Sequence, residues 1–495
     1  MDVELNMDLI DQVEREACKS TLFEFVQSFW SVIIQEKPKY NWHIPYLCEE
    51  LQKIAYRIVN RLPKEYDLII NIPPGTTKST IVTIMYPAWL WTQDPSLRII
   101  TNSYSETLSL EHSIKSRDII QSPKYKRLFP EVQLRRDKGA KSFYGNTQTG
   151  SRFATSTGGT VTGEHAHCII NDDPLNPSQA ASESQRETAN EHTKTLSTRK
   201  VDKENTPIIT IMQRLHDKDV TGYLLGKKGD KIKHICLPAE ISDKISPSEL
   251  KDRYVDGLLD PIRLSNSILA EQRIDLGSRG YACQYEQTPT AKEGDIIKRA
   301  WFQTIHPTDF EKIKRTEPVV FFGDTAYKEK KDRNKDDAQQ KNDPSGFMAT
   351  VTIGNNLYIT NVVRAFRKFP DLIKFIPEWV KANGYTDRST IRIEPKASGI
   401  SVIDQLKDVT KLNITETPSP KDSKETRLNA VSPKVECGRV WLVAGAWNED
   451  FIEEVCGFPA KMHDEYVDLL CYAIDYHLKE KKEPIDEQNL LSSFS

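Results

Sequence analysis

The chain has 495 residues, too many for one ordinary core, and a prior of about 150 residues per domain suggests two or three domains. Hydrophobic residues at 38% and charged residues at 28% describe a globular protein, and no apolar run approaches the roughly 20 residues that span a bilayer, so no membrane association is expected. Lys plus Arg total 68 against 71 Asp plus Glu, a net charge of −3, which argues against a constitutive, static nucleic-acid binder but not against a protein that grips and releases.

Residues 1–9 carry acids and lack the basic region and apolar core of a signal peptide, so a cytoplasmic location is expected. The eight cysteines are scattered without a C-x-x-C pair, and reduced thiols follow. Apolar residues over 8–35 recur at helical spacing, with Leu22, Phe25, Val26, Phe29 and Val32 on one face. From Asp67 onward, short apolar runs at 68–72, 97–102, 168–170 and 208–212 alternate with polar helical stretches, the pattern of a parallel α/β sheet. Polar stretches at 242–252 and 256–263 read as a linker. A second strand set follows at 319–323, 347–353, 357–363 and 391–394, then a last helix over about 465–479. This gives a helical flanking segment at 1–60, a first α/β domain at 61–240, a linker region at 241–310, a second α/β domain at 311–480 and a mobile tail at 481–495.

The segment Asn71-Ile-Pro-Pro-Gly-Thr-Thr-Lys-Ser-Thr80 follows an apolar strand and precedes a helical run, where a phosphate loop belongs. There, in the turn opened by Pro74, backbone N–H groups of Gly75, Thr76, Thr77 and Thr80 and their neighbours surround phosphate oxygens, Lys78 reaches the β- and γ-phosphates of ATP, and Ser79 holds Mg²⁺. The bare pattern G-x-x-x-x-G-K-S/T fails, since Ile72 and Thr77 stand at the glycine positions, and an ordinary strand-turn-helix also suits these letters. Cys168-Ile-Ile-Asn-Asp-Asp173 ends an apolar strand in two acids. Asp172 can hold Mg²⁺ through water, and Asp173 can polarise the attacking water. A paired acid after a strand is also a common helix cap.

With Asn41-Trp-His43, PPGTTKS at 73–79, TNSYS at 101–105, GGTVTGEHAHCIINDDP at 158–174 and QRLHDKDVTG at 213–222, the chain resembles tailed-phage terminase large subunits in motif order and spacing. The resemblance implies an N-terminal P-loop ATPase domain of the RecA/ASCE type and a C-terminal ribonuclease H-like nuclease domain. It implies that 210–219 couples nucleotide state to movement, with Arg214 and His216 as candidates. Related loops often read PPRHGKS and TGRG where this chain has Gly75, Thr77 and Thr162-Gly-Glu-His165, which leaves the arginine finger unassigned and Arg152 as a candidate.

Three acids carry the second half. Asp324 ends Val319-Val-Phe-Phe-Gly-Asp324, Glu394 ends Ile391-Arg-Ile-Glu394, and Asp468 lies where the last helix begins. Two strand-borne acids and one helix-borne acid suit a ribonuclease H-like centre, in which two Mg²⁺ or Mn²⁺ ions roughly 4 Å apart activate water and stabilise the leaving oxygen. Asp464 lies on the same helical face as Asp468, and Asp343 can border the site. Lys424 and Arg427 lie in a charged segment that resembles the basic loop flanking the family's nuclease site, so they can contact phosphates or form a solvated surface loop. The stretch 328–341 mixes charges evenly and reads as a surface loop.

The resemblance implies double-stranded DNA, a portal protein ring and a small terminase subunit as partners, and a homo-oligomeric ring on a procapsid in the cytoplasm of a bacterial host. The competing readings are a DNA helicase or repair ATPase with an appended nuclease, and an inactive scaffold descended from a terminase.

Overall fold

The computed structural model describes residues 7–289, 296–314, 316–325, 344–395, 398–420, 422–459 and 463–478. The expectations for 328–341, Asp343 and the tail at 481–495 fall outside these. The chain divides into two compact units, Met1–Ala291 and Lys292–Ser495.

In the first unit, the expected N-terminal helix is two helices, Met7–Ser20 and Leu22–Ile33. Thr21 stands between them in extended conformation, and its hydroxyl accepts from the Glu24 N–H, so a capping residue divides what apolar spacing alone makes continuous. The sheet strands are β1 (Asp67–Asn71), β2 (Arg98–Ser103), β3 (Leu134–Gly139), β4 (Phe143–Asn146), β5 (Ser151–Ser156), β6 (Cys168–Asp172), β7 (Ile208–Met212) and β8 (Ile232–Cys236). Their order across the sheet is β3-β4-β5-β2-β6-β7-β1-β8. The six strands from β5 to β8 run parallel, and β3 and β4 add an antiparallel edge. β1, β6 and β7 are buried along their whole length, as strands covered on both faces must be, which is why they read as unbroken apolar runs. β7 lies between β1, which feeds the proposed phosphate loop, and β6, which delivers the two acids.

The linker expected at 241–310 is corrected for its first part. Leu250, Leu258, Leu259, Leu264, Leu269, Tyr281 and Tyr285 are buried in the same core as β1 and the N-terminal helices. The stretch looks polar because short turns and the helix Asn266–Gln284 spread these anchors far apart in sequence.

The second unit holds β9 (Gln303–Ile305), β10 (Val320–Asp324), β11 (Ser345–Ile353), β12 (Asn356–Ala365), β13 (Thr390–Ile393), β14 (Ile414–Glu416) and β15 (Val440–Val443), in the order β14-β13-β10-β11-β12-β15-β9. β10, β11 and β12 form an antiparallel meander, and β13 returns parallel beside β10. Separate apolar clusters cover the two faces. Helix Glu465–His477 packs on one of them, and it comes close because β11 carries Gly346 there. A Cβ on that glycine would stand 3.0 Å from both Glu465 Cβ and Leu469 Cδ1.

Candidate functional site

At the carboxyl ends of β1 and β6, the Ser79 hydroxyl donates to Asp172 Oδ1 at 2.9 Å, and Lys78 Nζ stands 3.1 Å from Asp173 Oδ2. Lys78 also reaches Gln213 Oε1 at 3.5 Å, from the turn after β7. Gly75 and Thr77 both lie in the left-handed region, at φ 75° and 69°. Thr77 is therefore a β-branched residue in a conformation that favours glycine, at a position where the general phosphate-loop pattern has glycine. Pro74 and Thr80 flank the turn, and the Thr76 hydroxyl donates to the Pro73 carbonyl. The Thr76 carbonyl lies 3.2 Å from the buried His43 imidazole, whose pKa is pushed down to about 4, chiefly by burial.

Asp172 is fully buried. Burial pushes its carboxyl pKa up; the Thr83 hydroxyl, Lys78, Ser79 and Arg152 oppose this. Asp173 is raised in the same way by burial, against the opposing pull of Lys78. His112 Nδ1 stands 3.4 Å from Asp172 Oδ2, and burial together with the Arg152 charge holds that imidazole near pKa 4, neutral at pH 7. After the loop the chain forms a wide π-helical turn, Thr80–Met85. Arg152, on β5, is only 1% exposed, and its Nη2 donates to the Thr83 carbonyl in that turn at 2.8 Å. The guanidinium lies inside the sheet packing, where its charge opposes the burial-raised pKa of Asp172, and not in the exposed setting expected of a finger or DNA contact.

Arg214 and His216 lie in a tight turn organised by a residue that the sequence reading passed over. Asp219 is fully buried, accepts from Arg214 Nε at 3.0 and 3.2 Å, and accepts from the N–H groups of Leu215, His216 and Gly222. It caps the helix Val220–Lys228. The available signal was D-x-x-G before an apolar helix, a short cap pattern. His216 Nδ1 lies 2.6 Å from Asp217 Oδ1.

In the second unit, Asp324 ends β10 and Glu394 follows β13 directly, with the Glu394 N–H donating to the Gly323 carbonyl at 3.2 Å. Parallel pairing of Gly323 with Ile393 sets the two acids side by side. Asp468 comes from the helix Glu465–His477. The Asp324 carboxyl is pushed up to about 7, by burial first and then by the charges of Asp468 and Glu394. The three acids therefore share one electrostatic site. Lys424 Nζ lies 2.7 Å from Asp468 Oδ2 and 2.6 Å from Asp464 Oδ1, and Arg427 pairs with Asp468 Oδ1. Lys424 and Arg427 belong to the helix Lys424–Glu436 and so are not a loose surface loop. The carboxylate oxygens of the acids suit a hard divalent cation in kind. As placed, with Asp468 engaged by two cations, no three His, Cys, Asp or Glu side chains among the described residues form a cage around one ion.

Residues 378–477, which span β13, Glu394, Lys424, Arg427, Asp464 and Asp468, match the family model for the terminase RNaseH-like domain. This segment of the C-terminal unit is thus similar to the terminase RNaseH-like family. The resemblance to terminase large subunits read from the motifs is borne out, as is the α/β fold class with a ribonuclease H-like second half. Among solved structures, the chain is similar to a large terminase from a thermophilic bacteriophage in complex with ADP, at 11% identity and a TM-score of 0.46, over 87% of this chain and 99% of that one. It is also similar to the HK97 bacteriophage large terminase, at 11% identity and a TM-score of 0.37, over 86% and 90%. The large terminase nuclease domain of bacteriophage SPP1 with bound Mn overlaps 35% of this chain and 96% of its own, at 15% identity and a TM-score of 0.26. No curated protein matches. Among the described residues no helix is long and apolar enough to cross a membrane.

Proposed function

We propose that this terminase chain is a DNA-packaging motor: its first unit hydrolyses ATP to drive double-stranded viral DNA into a procapsid, and its second cuts concatemeric DNA. The observation that carries the reading is the meeting of Lys78, Ser79, Asp172 and Asp173 at the ends of two strands separated by β7. A cation, a hydroxyl and two acids are the parts that nucleotide hydrolysis needs. Lys78 would reach the phosphates, Ser79 and Asp172 would hold Mg²⁺, and Asp173 would orient the attacking water. Asp324, Glu394 and Asp468, with Asp464 at the rim, would gather Mg²⁺ or Mn²⁺, and the bound metal supplies an activated water and a stabilised leaving oxygen. Metal entry requires Lys424 and Arg427 to loosen from Asp468, and a DNA phosphate offers them another anion.

The partners in this reading are double-stranded DNA, the portal protein ring, a small terminase subunit and further copies of this chain in a ring, within the bacterial host cytoplasm. A helicase would need a second RecA-like domain, whereas residues 378–477 of the second unit match the family model for the terminase RNaseH-like domain. ATPase assays on the chain alone, with DNA, and with DNA plus procapsid test the proposal. Turnover that rises with DNA and procapsid is expected; duplex unwinding supports a helicase, and no turnover under any condition supports a scaffold.

A further inference from the structure

Two consecutive residues in the turn after β7 serve different partners. The Gln213 side-chain oxygen accepts from Lys78 Nζ at 3.5 Å, and Lys78 in turn pairs with Asp173 Oδ2 at 3.1 Å. The Arg214 peptide N–H donates to the Gln287 side-chain oxygen at 2.9 Å, a contact between residues far apart in sequence. Gln287 is 3% exposed, and its backbone sits at φ 53°. A non-glycine residue in this region is strained and persists where its surroundings over-determine it. Here they do: Gln287 Nε2 donates to the Gln284 carbonyl, the Thr288 N–H donates to the Ala282 carbonyl at 2.8 Å, and the Ala239 N–H donates to the Tyr285 carbonyl at 2.7 Å. This segment closes the first unit, which ends at Ala291.

The path from the acid to the end of the unit is thus short. Any movement of the Lys78–Asp173 pair on nucleotide binding acts on Gln213 through Lys78, and the adjoining Arg214 peptide carries it to Gln287. The Arg214 side chain is meanwhile fixed by Asp219, so the turn moves as a block. We infer that Gln287 is a positioning residue that senses the nucleotide state of the Asp173 site and passes it to the chain leaving the first unit. This rests on the ATPase reading given above.

Hydrogen exchange of backbone amides in residues 284–289 of the full chain, with and without ATP-γ-S, tests it. In the wild type, nucleotide is expected to change exchange in this segment by about two-fold or more. In Gln287→Asn the residue still tolerates the left-handed backbone, but the side-chain oxygen is withdrawn by one methylene. The nucleotide response should then vanish while ATP-γ-S still binds. Gln287→Glu, which keeps an oxygen at full reach, should retain the response; a merely structural Gln287 would leave it intact in both variants. A full response in Gln287→Asn, or a wild type that binds ATP-γ-S with no response, overturns the coupling alone. A wild type that binds no ATP-γ-S overturns the ATPase reading and the coupling with it.

Discussion

Lys78 Nζ lies 3.1 Å from Asp173 Oδ2, an ion pair between the phosphate loop and the second acid of β6 that is almost wholly shielded from water on the lysine side. Burial raises both Asp172 and Asp173, and Lys78 opposes the rise at each, joined at Asp172 by the Thr83 and Ser79 hydroxyls and Arg152. Replacing Asp173 by Asn removes one buried charge while leaving Ser79 and Asp172 in contact. Asp173→Asn should bind nucleotide within a few-fold of wild type and lose hydrolysis by about 100-fold or more. Nucleotide titration beside steady-state phosphate release decides it, and hydrolysis at the normal rate would place the catalytic acid elsewhere.

Thr77 has φ 69°, a conformation that a β-branched side chain adopts only under strain. Thr77→Gly relieves that strain, partly offset by the greater freedom of glycine in the unfolded chain, for a net gain of about 1 kcal/mol. A rise in melting temperature of about 2 °C is expected. A melting temperature that stays level or falls would show that the Thr77 side chain contributes more than its backbone costs.

Asp219 serves one guanidinium and three backbone N–H groups from a fully buried position. Asp219→Ala leaves Arg214 without its partner and uncaps a helix, a loss of about 3 kcal/mol or more. Asp219→Asn keeps the cap and should lose less. Chemical denaturation of the two variants measures both, and equal losses would mean that the charge of Arg214 needs no compensation.

Asp324 has a folded-state pKa of about 7, above that of a free carboxyl. Without metal, the folded protein therefore binds more protons than the unfolded chain between about pH 4 and pH 7, and stability falls as pH rises through that window. Asp324→Asn removes this dependence. The variant should melt higher than wild type at pH 8 without metal and converge with it near pH 4, while Mn²⁺ should stabilise wild type and not the variant. Plasmid nicking in Mg²⁺ or Mn²⁺ should fall steeply in Asp324→Asn, Glu394→Gln and Asp468→Asn. Wild-type cutting by any two of the three would sink the assigned triad.

The strands that carry the sites were legible because burial on both faces makes β1, β6 and β7 continuous apolar runs. β3, β4 and β5 were not: the edge strand β3, Leu134–Gly139, is rich in charge, and β4 and β5 carry no continuous apolar run. The acids at strand ends stood out from the residues before them. Asp219 and Gln287 did not, because what singles them out is hydrogen bonding and burial that only the folded chain creates. Arg152 was a candidate arginine finger, yet its environment is the inside of a sheet, which one-letter charge does not reveal. The first part of the expected linker misled for a related reason: its buried leucines are isolated among polar turns.

The most direct test of the account is the Lys78→Ala variant, assayed in one preparation for ATP-driven DNA packaging and for metal-dependent plasmid cutting. Lys78 belongs to the first unit, and Asp324, Glu394 and Asp468 to the second. Packaging should be abolished and cutting largely preserved. Packaging at the wild-type level would contradict the proposed phosphate loop and with it the motor.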